Sequence, residues 1–307
     1  MNTPLLQTEK WQKFQQDLKK TTFFEKTDNY QFLATLEKTP LGNYLYLPYG
    51  PVASNQSNFK KALTKLQEIA KENQAIFIRI EPQNKSLESF LAKNFKKTKD
   101  LNPKETWQID LTGSDEDLKK KLPSRLFRYY KNREKNQLFI ETSKNPNDIK
   151  YLLDLQKALA KDKKIGVFSE NYLKTQLKQD FATLYLMRNV DKEVIAAGLV
   201  FDDETTRYNL QGAQNENYRS LHATGILTIQ LILDAKAKNL QTFDCWGIAP
   251  ENAPKNHPWA GFTAFKKTFD GTEVDYCGTY DIVLNRSKYL LYQTTRKLNR
   301  LIRKIKF

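Results

Sequence analysis

The sequence predicts an α/β protein (an α+β arrangement) made of two similar halves, each with its own mixed sheet. Residues 59–82 read FKKALTKLQEIAKENQAIFIRIEP, and residues 223–250 read ATGILTIQLILDAKAKNLQTFDCWGIAP. In both stretches apolar residues recur at helical spacing, and after a short loop a β-rich run ends at a proline. Helices that cross between strands place those strands in one sheet. The ordered match between the stretches indicates an internal duplication.

The segments that flank these stretches also correspond. A tyrosine-rich strand that ends in glycine precedes each one, YLYLPYGP at 44–51 and RYNLQGA at 207–213. Similar segments with paired lysines follow, SFLAKNFKK at 89–97 and GFTAFKKTF at 261–269. Each half then leads to a final strand, ETWQIDL at 105–111 or GTYDIVL at 278–284. A chance match of one helix and one strand is common, but four matched elements in order favour duplication.

A polar helix is predicted between the two halves. Residues 113–135 read GSDEDLKKKLPSRLFRYYKNREK, with Ser114 in the N-cap position and acidic residues in the first turn, where the helix dipole favours them. Pro123 ends or kinks that helix. The residues that follow are basic and aromatic, among them Arg125, Arg128 and Tyr129. They form either an ordinary amphipathic linker or a surface that contacts the phosphates and bases of RNA.

The last segment, residues 290–307, is a basic amphipathic pattern. Leu298, Leu301, Ile302 and Ile305 recur at helical spacing among arginines and lysines. Such a helix can lie on an anionic membrane surface, or it can pack on the protein and leave its charges in water. The pattern allows both.

The chain carries a large positive charge. Its 307 residues include 50 Lys and Arg against 35 Asp and Glu, which gives a formal charge of +15 and a pI near 9.5. This balance favours a polyanionic partner such as RNA, a nucleotide or an anionic membrane. The alternative is a lysine-rich surface that is simply solvated.

Several classes of protein are disfavoured by what the sequence contains. Two cysteines, Cys245 and Cys277, do not make a disulfide framework, and the N-terminal residues do not resemble a signal peptide, so we expect a cytoplasmic protein. No apolar run reaches the length of a membrane span. With only His222 and His257 we expect neither a zinc site nor a Ser-His-Asp triad.

Six motifs, taken in order, resemble those of the FemABX family: LLQTEKWQKF, YLPYGPV, IFIRIEP, RYNLQGA, CWGIAP and FTAFKKTF. Members of this family are aminoacyl-tRNA-dependent transferases that build the peptide branches of bacterial peptidoglycan. The resemblance covers nearly the whole chain and implies two GNAT-like acyltransferase domains with a cleft between them. Because no long pair of charged heptad helices is inserted, the chain looks like the shorter FemX-type members, which lack a coiled-coil arm.

The resemblance also implies a division of labour between the domains. Residues 1–112 with 278–307 are expected to form a first domain that binds the acceptor. Residues 113–277 are expected to form a second domain on the side of the acyl donor.

Phe265 and Lys266 match the family's Phe-Lys pair, which implies a catalytic position at the acyl-donor end of the cleft. The reaction joins an amine to the ester carbonyl of a charged tRNA, so negative charge develops on the carbonyl oxygen and then on the departing ribose oxygen. A fixed donor at such an oxygen is worth a factor of about 10² to 10³. Lys266 is the expected cation, while Lys267 is expected to be a surface residue.

Two further charged residues match family positions in the first half. Glu81 stands where the family has an acidic residue before proline, which implies a catalytic base or a ligand of the acceptor stem; a structural carboxylate at a strand end is the alternative. Lys13 follows Trp11 by two residues, like a lysine that contacts the diphosphate of a nucleotide-linked acceptor. A surface lysine of a helix is the alternative there.

Tyr172 and Tyr208 match family tyrosines that line the acceptor site, and either residue could instead be a core tyrosine with a satisfied hydroxyl. The sequence departs from the family pattern nearby. Where FemX-type members have an arginine four residues before the first of these tyrosines, this chain has Phe168. Lys163 and Lys164 are the candidates to supply the missing phosphate contact.

No metal or redox cofactor is expected, and aminoacyl-tRNA is the expected co-substrate. The turn SLHATG has one late glycine and does not look like the glycine-rich turn that holds coenzyme A. The expected partners are aminoacyl-tRNA and a peptidoglycan precursor, for a monomer that can touch the inner face of the membrane through residues 290–307. The rivals are a double-GNAT N-acyltransferase with another amine acceptor and a noncatalytic RNA-binding protein.

Overall fold

The computed structural model describes the backbone of residues 3–163 and 166–305. It describes the side chains of the same residues except those of 161–163 and 299–305. Its helices are α1 (Glu9–Asp17), α2 (Gln56–Glu72), α3 (Glu88–Asn94), α4 (Asp115–Lys121), α5 (Ser124–Lys131), α6 (Ile149–Lys163), α7 (Glu170–Leu177), α8 (Ala223–Ala237), α9 (Ala260–Lys266) and α10 (Arg286–Ile305). Its strands are β1 (Thr22–Lys26), β2 (Tyr30–Glu37), β3 (Asn43–Leu47), β4 (Val52–Ala53), β5 (Ala75–Ile80), β6 (Lys96–Lys97), β7 (Glu105–Asp110), β8 (Phe139–Ser143), β9 (Ala182–Arg188), β10 (Val194–Asp202), β11 (Thr206–Gln214), β12 (Thr242–Gly247), β13 (Thr272–Asp275) and β14 (Tyr280–Val283).

The strands form two mixed sheets, which confirms the predicted fold class. One sheet has the order β1-β2-β3-β5-β14-β6, with β4 beside β2, and the other has the order β13-β7-β12-β11-β10-β9-β8. In the first sheet β3 and β5 are parallel and α2 joins them. In the second sheet β11 and β12 are parallel and α8 joins them. These are the two helix–strand units that the repeated sequence pattern predicts.

The two sheets correspond strand by strand, and each takes one strand from the other half of the sequence. β14, from the end of the chain, pairs with β5 of the first sheet, and β7, from the middle, pairs with β12 of the second sheet. The segments ETWQIDL and GTYDIVL therefore do not end the halves that they follow. Each completes the sheet of the other half.

This exchange sets the limits of the two compact units, which are Met1–Lys104 with Asp275–Phe307, and Glu105–Val274. The expected first domain, 1–112 with 278–307, differs from this division at both boundaries. Residues 105–112 lie in the second unit because β7 pairs with β12. The position of β14 in the first unit agrees with the expected division.

The two crossover helices are buried to different extents. α2 buries one face, which includes Phe59, Leu63 and Leu66, against the first sheet. α8 is buried on most of its sides because α5 covers the part that the second sheet leaves open. Gly225 of α8 permits this close approach, since a Cβ atom there would lie 2.8 Å from the Leu126 side chain of α5.

The predicted start of α4 is confirmed. The Ser114 side chain accepts a hydrogen bond from the Asp117 amide at 3.1 Å. Pro123 lies between α4 and α5 and stands at the N-cap of the second helix. The sequence from Ser114 to Lys131 thus forms two short helices rather than one long one.

A buried ion pair holds the exchanged strand in the first sheet. The Arg79 guanidinium on β5 donates from Nε and Nη2 to the two carboxylate oxygens of Asp281 on β14, each at 2.7 Å. Both residues are 1% exposed. The Tyr289 hydroxyl of α10 donates a third hydrogen bond to Asp281 at 2.8 Å. β14 and α10 are thereby tied to β5.

Candidate active site

The parallel ladder at the centre of the second sheet is short. β11 and β12 pair at Thr206–Thr242, Arg207–Phe243 and Tyr208–Asp244, and the ladder ends there, although β11 continues to Gln214. On its other side β12 shifts register against β7 between Asp244 and Gly247. Trp246 lies within this irregularity and has a φ of 66°, a left-handed conformation that costs energy for a large side chain. The polypeptide therefore departs from regular pairing just after Asp244.

α9 brings Lys266 to this irregularity. The amide of Ala249 donates to the Thr263 hydroxyl at 2.8 Å, which fixes α9 against the segment that follows β12. Lys266 lies in the last turn of the helix and is half-buried. Its Nζ donates to the Gly247 carbonyl oxygen at 2.6 Å. The ammonium group is thus held at the end of β12.

Burial and nearby charge act in opposite directions on Lys266. Burial lowers the pKa of its ammonium group, while Cys245 and Asp244 act to raise it. Burial also raises the pKa of the Cys245 thiol to about 12, so this residue stays protonated at neutral pH. The carboxylate of Asp244 is therefore the neighbour that supports a charged Lys266.

Asp244 is a functional candidate that the sequence reading missed. It is 2% exposed, and burial raises its pKa to about 6. Its carboxylate accepts hydrogen bonds from Gln108 Nε2 at 3.0 Å and from the Trp246 amide at 2.7 Å. One feature of the sequence indicates it: Asp244 is the one charged residue in the strand TFDCWGI. A carboxylate and a lysine whose pKa values both move toward neutrality are typical of a functional site.

The two residues beside Lys266 in the sequence lie in different surroundings. Phe265 is partly buried against the core of the second unit, with its ring edge-on to Phe269 at a centroid distance of 5.5 Å. Lys267 is exposed, where it forms an ion pair with Glu273 at 3.0 Å and lies over the Trp107 ring. The paired lysines therefore differ as expected, since one faces a buried polar cluster and the other faces solvent.

Tyr208 is the partner of Asp244 in the parallel ladder of the second sheet. It is 7% exposed, and its hydroxyl donates to Asp203 Oδ2 at 2.7 Å. Its ring lies edge-on to that of Trp246 at 6.2 Å. This hydroxyl has a protein acceptor, as the alternative of a core tyrosine anticipates.

Tyr172 lies on α7, which packs on α6 and β9. Its ring stacks on that of Phe168 at 4.8 Å, and burial raises its pKa to about 12. The aromatic residue that replaces the family arginine is thus a stacking partner of this tyrosine. Lys164 and the side chain of Lys163 lie outside the described part of the structure, so the suggested phosphate contact stays a prediction.

Glu81 lies at the end of β5 in the first unit and accepts five hydrogen bonds. Oε1 accepts from the amides of Leu101 and Asn102 at 3.1 and 3.3 Å and from the Thr279 hydroxyl at 2.8 Å. Oε2 accepts from the Tyr46 hydroxyl at 2.8 Å and from Asn102 Nδ2 at 2.7 Å. A carboxylate offers about four lone-pair sites, so these protein donors occupy them.

Lys13 is a surface residue of α1 in the first unit. Its side chain is 72% exposed and forms an ion pair with Asp17 at 3.6 Å, one turn along the helix. An ammonium group with this exposure is accessible to a phosphate from solvent. Its role as a phosphate contact stays a prediction.

A basic and aromatic surface, here named the α5 patch, consists of Arg125, Arg128, Tyr129 and Lys131 of α5 with His222 before α8. The Tyr129 ring stacks on the imidazole at 4.8 Å, and the guanidinium carbons of Arg125 and Arg128 lie 5.7 and 5.9 Å from the centre of the Tyr129 ring. The hydrogen bond from Arg125 lowers the pKa of the tyrosine hydroxyl. The arginines and Lys131 are exposed.

Within residues 3–163 and 166–305, no group of three or more His, Cys, Asp or Glu side chains could hold a metal ion. No helix in the same part of the chain is both long and apolar enough to cross a membrane.

Comparison with solved structures identifies the fold. The chain is similar to a crystal structure of FemX, with a TM-score of 0.80, 17% identity and 94% of each chain covered. It is also similar to the C-terminal domain of a putative lysylphosphatidylglycerol synthetase from Agrobacterium fabrum, with a TM-score of 0.59, 16% identity and coverage of 91% of this chain and 89% of that one. A tandem GNAT protein from the clavulanic acid biosynthesis pathway matches with a TM-score of 0.52, 10% identity and coverage of 85% and 83%.

Sequence comparison adds the family. No curated protein matches the chain. The model of the FemAB family matches residues 127–297, more than half of the 307 residues, and this stretch includes Asp244 and Lys266. The predicted resemblance is confirmed by this match together with the FemX-like fold. The chain belongs to the FemAB family, and its general activity is that of the peptidoglycan-bridge aminoacyltransferases.

Proposed function

We propose that this protein transfers an amino acid from aminoacyl-tRNA to an amine on the peptide stem of a peptidoglycan precursor, with Lys266 as the cation at the reacting ester. One observation carries the proposal. The ammonium group of Lys266 is held at the end of β12 by the Gly247 carbonyl, beside the buried carboxylate of Asp244. A half-buried cation fixed in this way stabilises developing negative charge better than a solvated one.

The chemistry assigns two tasks to the site. The amine nitrogen forms a bond to the ester carbonyl carbon, and the bond from that carbon to the ribose oxygen then breaks. Negative charge forms first on the carbonyl oxygen and then on the ribose oxygen, which takes through water the second proton that the nitrogen loses as the amide forms. Among the contacts of the described residues, Gly247 takes one of the three N–H donors of Lys266, so two are available for these oxygens.

Asp244 acts in this proposal as a positioning residue. Its carboxylate is bound by Gln108 and by the Trp246 amide, so it serves as a fixed countercharge rather than as a proton acceptor for the substrate. Its negative charge favours the charged form of Lys266 and so opposes the effect of burial, which lowers the pKa of the ammonium group.

The proton of the attacking amine needs a separate route. An alkylamine of a lysine-like acceptor has a pKa of about 10.4 and is mostly protonated at neutral pH, so it loses a proton before or during attack. Glu81 is a poor acceptor for it because five protein donors bind its oxygens. Glu81 therefore supports the acceptor site as a structural carboxylate, and water takes the proton.

The α5 patch supports a polynucleotide donor. It combines exposed guanidinium and ammonium groups with a stacked pair of rings, which are the groups that single-stranded nucleic acid meets in its binding sites. It belongs to the same unit as Lys266. A tRNA donor also places the reaction in the cytoplasm.

The residues that match the family form the acceptor site. Lys13 contacts acceptor phosphate, Tyr172 and Tyr208 shape the site, and Lys164 replaces the arginine that the family has at Phe168. Phe265 packs against the core of the second unit and anchors the end of α9, the helix that carries Lys266. No metal or redox cofactor takes part.

The test is a transfer assay with charged tRNA and a stem-pentapeptide precursor, in which a label on the amino acid is followed into the peptide. We expect transfer by the native protein and a loss of about 10² to 10³ in Lys266→Ala, with RNA binding largely kept. Lys267→Ala is the matched control because it removes the neighbouring lysine, which faces solvent, and it should leave the rate unchanged.

Three results would contradict the proposal. Labelling from an acyl-coenzyme A and not from tRNA would identify a different double-GNAT acyltransferase. Tight RNA binding without transfer would identify a noncatalytic RNA-binding protein. An equal loss of rate in Lys266→Ala and Lys267→Ala would show that general charge, not a placed cation, matters.

A further inference from the structure

Exposed apolar side chains are concentrated at one end of the described chain. Of the large apolar residues that the structure records as exposed, five fall within residues 283–298, and the three on α10 are more than half exposed. These are Leu290 at 54%, Leu291 at 55% and Leu298 at 53%. Single exposed leucines are ordinary on protein surfaces, but several on one helix face mark an interaction site.

The opposite face of α10 is anchored to the first unit. Tyr289 and Tyr292 are buried and pack their rings against Phe77 of β5, at centroid distances of 5.2 and 5.0 Å. The Tyr289 hydroxyl also binds Asp281. This packing fixes the rotation of the helix about its axis, so the leucines are directed away from the sheet.

The exposed face has the layout of an interfacial helix. At about 100° per residue, Leu290, Leu291 and Leu298 fall within an arc of about 100°. Two exposed cations border this arc: Lys288 lies on one side of it and Lys297 on the other. The exposed Ser287 and Thr294 also lie within this arc. A helix face with leucines between flanking cations buries its leucines at the level of the lipid headgroups and places its cations on the phosphates.

The charge of the segment selects among the possible occupants. Residues 286–307 contain no Asp or Glu, and their cations are Arg286, Lys288, Arg296, Lys297, Arg300, Arg303, Lys304 and Lys306. A second copy of this chain would bring two such segments together across a twofold contact, which like charges oppose. RNA would satisfy the cations but would leave the leucines in water. An anionic bilayer satisfies both groups.

We propose that the exposed face of α10 is a docking surface for an anionic lipid bilayer, to which the protein binds peripherally without spanning it. This proposal is independent of the transfer reaction, because vesicle binding is measured without any substrate. It assigns to Leu290, Leu291 and Leu298 the apolar contact, and to the cations the choice of anionic over zwitterionic lipid.

The experiment measures sedimentation of the full chain with phosphatidylcholine vesicles that contain or lack phosphatidylglycerol. We expect binding to the anionic vesicles, little binding to the neutral ones, and weakening as salt is raised. A triple variant, Leu290→Ser with Leu291→Ser and Leu298→Ser, should lower the partition coefficient at least about tenfold. The matched control, Leu101→Ser with Val190→Ser and Leu221→Ser, removes three exposed apolar residues elsewhere and should bind as the native chain does.

Thermal unfolding of both triple variants shows whether the fold is kept, which exposed positions should allow. A second variant, Lys288→Glu with Lys297→Glu, should lose the preference for anionic vesicles while keeping its leucines. The proposal is overturned if the native chain does not sediment with anionic vesicles, or if the α10 triple variant binds them as well as the control does. It is also overturned if the triple variant converts a dimer into a monomer, which would assign the face to a second copy of the chain.

Discussion

The two sheets place equivalent residues in equivalent rows, and the rows differ in charge. In the first unit the row runs across β3, β5 and β14 as Tyr46, Arg79 and Asp281. Its two charges neutralise each other through a bidentate ion pair. The parallel ladder then continues for another step, to Leu47 and Ile80.

In the second unit the row across β11, β12 and β7 is Tyr208, Asp244 and Gln108. The central residue is now an acid, and its neighbour on the exchanged strand is an amide. The countercharge comes from outside the row, from Lys266 on α9. The ladder ends at this row, and the strand turns irregular.

The comparison shows how a duplicated scaffold can divide its tasks. The first row is a closed network that stabilises the sheet. The second row carries a buried charge whose pKa is shifted and whose partner is a lysine with available donors, at some cost in stability. Residues that break the local rules of burial in this way are where function is expected.

The largest predicted effect tests the ion pair in the row of the first unit. Asp281→Ala leaves the Arg79 guanidinium buried without its partner, and this should lower the free energy of unfolding by about 3–5 kcal/mol. Urea denaturation measures it. Glu68→Ala, which breaks the exposed pair with Lys65, is the control and should cost less than about 1 kcal/mol. A loss for Asp281→Ala as small as that of the control would refute the contrast between the rows.

The second effect tests Asp244, in the row of the second unit, through the pH dependence of stability. The pKa of Asp244 is about 6 in the folded chain and near 3.8 when unfolded, so the unfolded state loses its proton first as the pH rises. Burial of this carboxyl therefore does not lower the free energy of unfolding below about pH 4. Between about pH 4 and 6 its contribution lowers the free energy of unfolding, and above about pH 6 that contribution is constant. The cost at pH 7 is up to about 3 kcal/mol.

Asp244→Asn should remove that decline. The free energy of unfolding of the variant minus that of the native chain should therefore be larger at pH 7 than at pH 4. Denaturant titrations at the two values measure the difference. An identical pH dependence in the two proteins would mean that burial does not raise the pKa of Asp244.

A third prediction concerns Glu81, the saturated carboxylate of the first unit. Glu81→Gln replaces one carboxylate oxygen, which accepts hydrogen bonds, by an amide nitrogen, which donates them. A hydroxyl or amide that donates to that oxygen is then left without its acceptor. We expect a loss of about 1–3 kcal/mol in stability and a nearly unchanged transfer rate in the folded variant. A fall in rate of about 10² or more without loss of stability would instead identify Glu81 as the base.

The smallest effect is a shift in the pH–rate profile. If Lys266 acts as a cation, the rate should decline at alkaline pH as the ammonium group loses its proton, and burial places this decline below the ordinary pKa of lysine. Asp244→Asn removes the countercharge, so its alkaline limb should move to lower pH than that of the native chain. Profiles of kcat for the two proteins decide this, and superimposable limbs would show that the two residues do not interact.

Much of the architecture could be predicted from local patterns. The spacing of apolar residues located α2 and α8, and Ser114 and Pro123 located the start of α4 and its separation from α5. The family resemblance assigned β14 to the first domain, but the transfer of β7 to the second sheet was not predicted, because its segment reads as a half-buried strand that suits either sheet. Strand pairing between residues so distant in sequence is decided by the assembled sheet.

The site could be predicted only in part. The family resemblance directed attention to Lys266, but its contact with the Gly247 carbonyl involves the backbone and leaves no mark in the sequence. The saturation of Glu81 depends on residues 101–102 and on Thr279, which meet it only after folding. Asp244 had a visible signal, a charge within an apolar strand, although that signal does not distinguish a site from a structural ion pair.

The strand exchange also orders events during protein synthesis. When β5 leaves the ribosome, the partner for its free edge lies about 200 residues ahead, since Arg79 and Asp281 are 202 positions apart. β7, in contrast, is translated before the strand that it joins, so the second sheet can close first. The nascent N-terminal sheet therefore keeps the edge of β5 open throughout most of elongation, and an open strand edge is where non-native pairing begins.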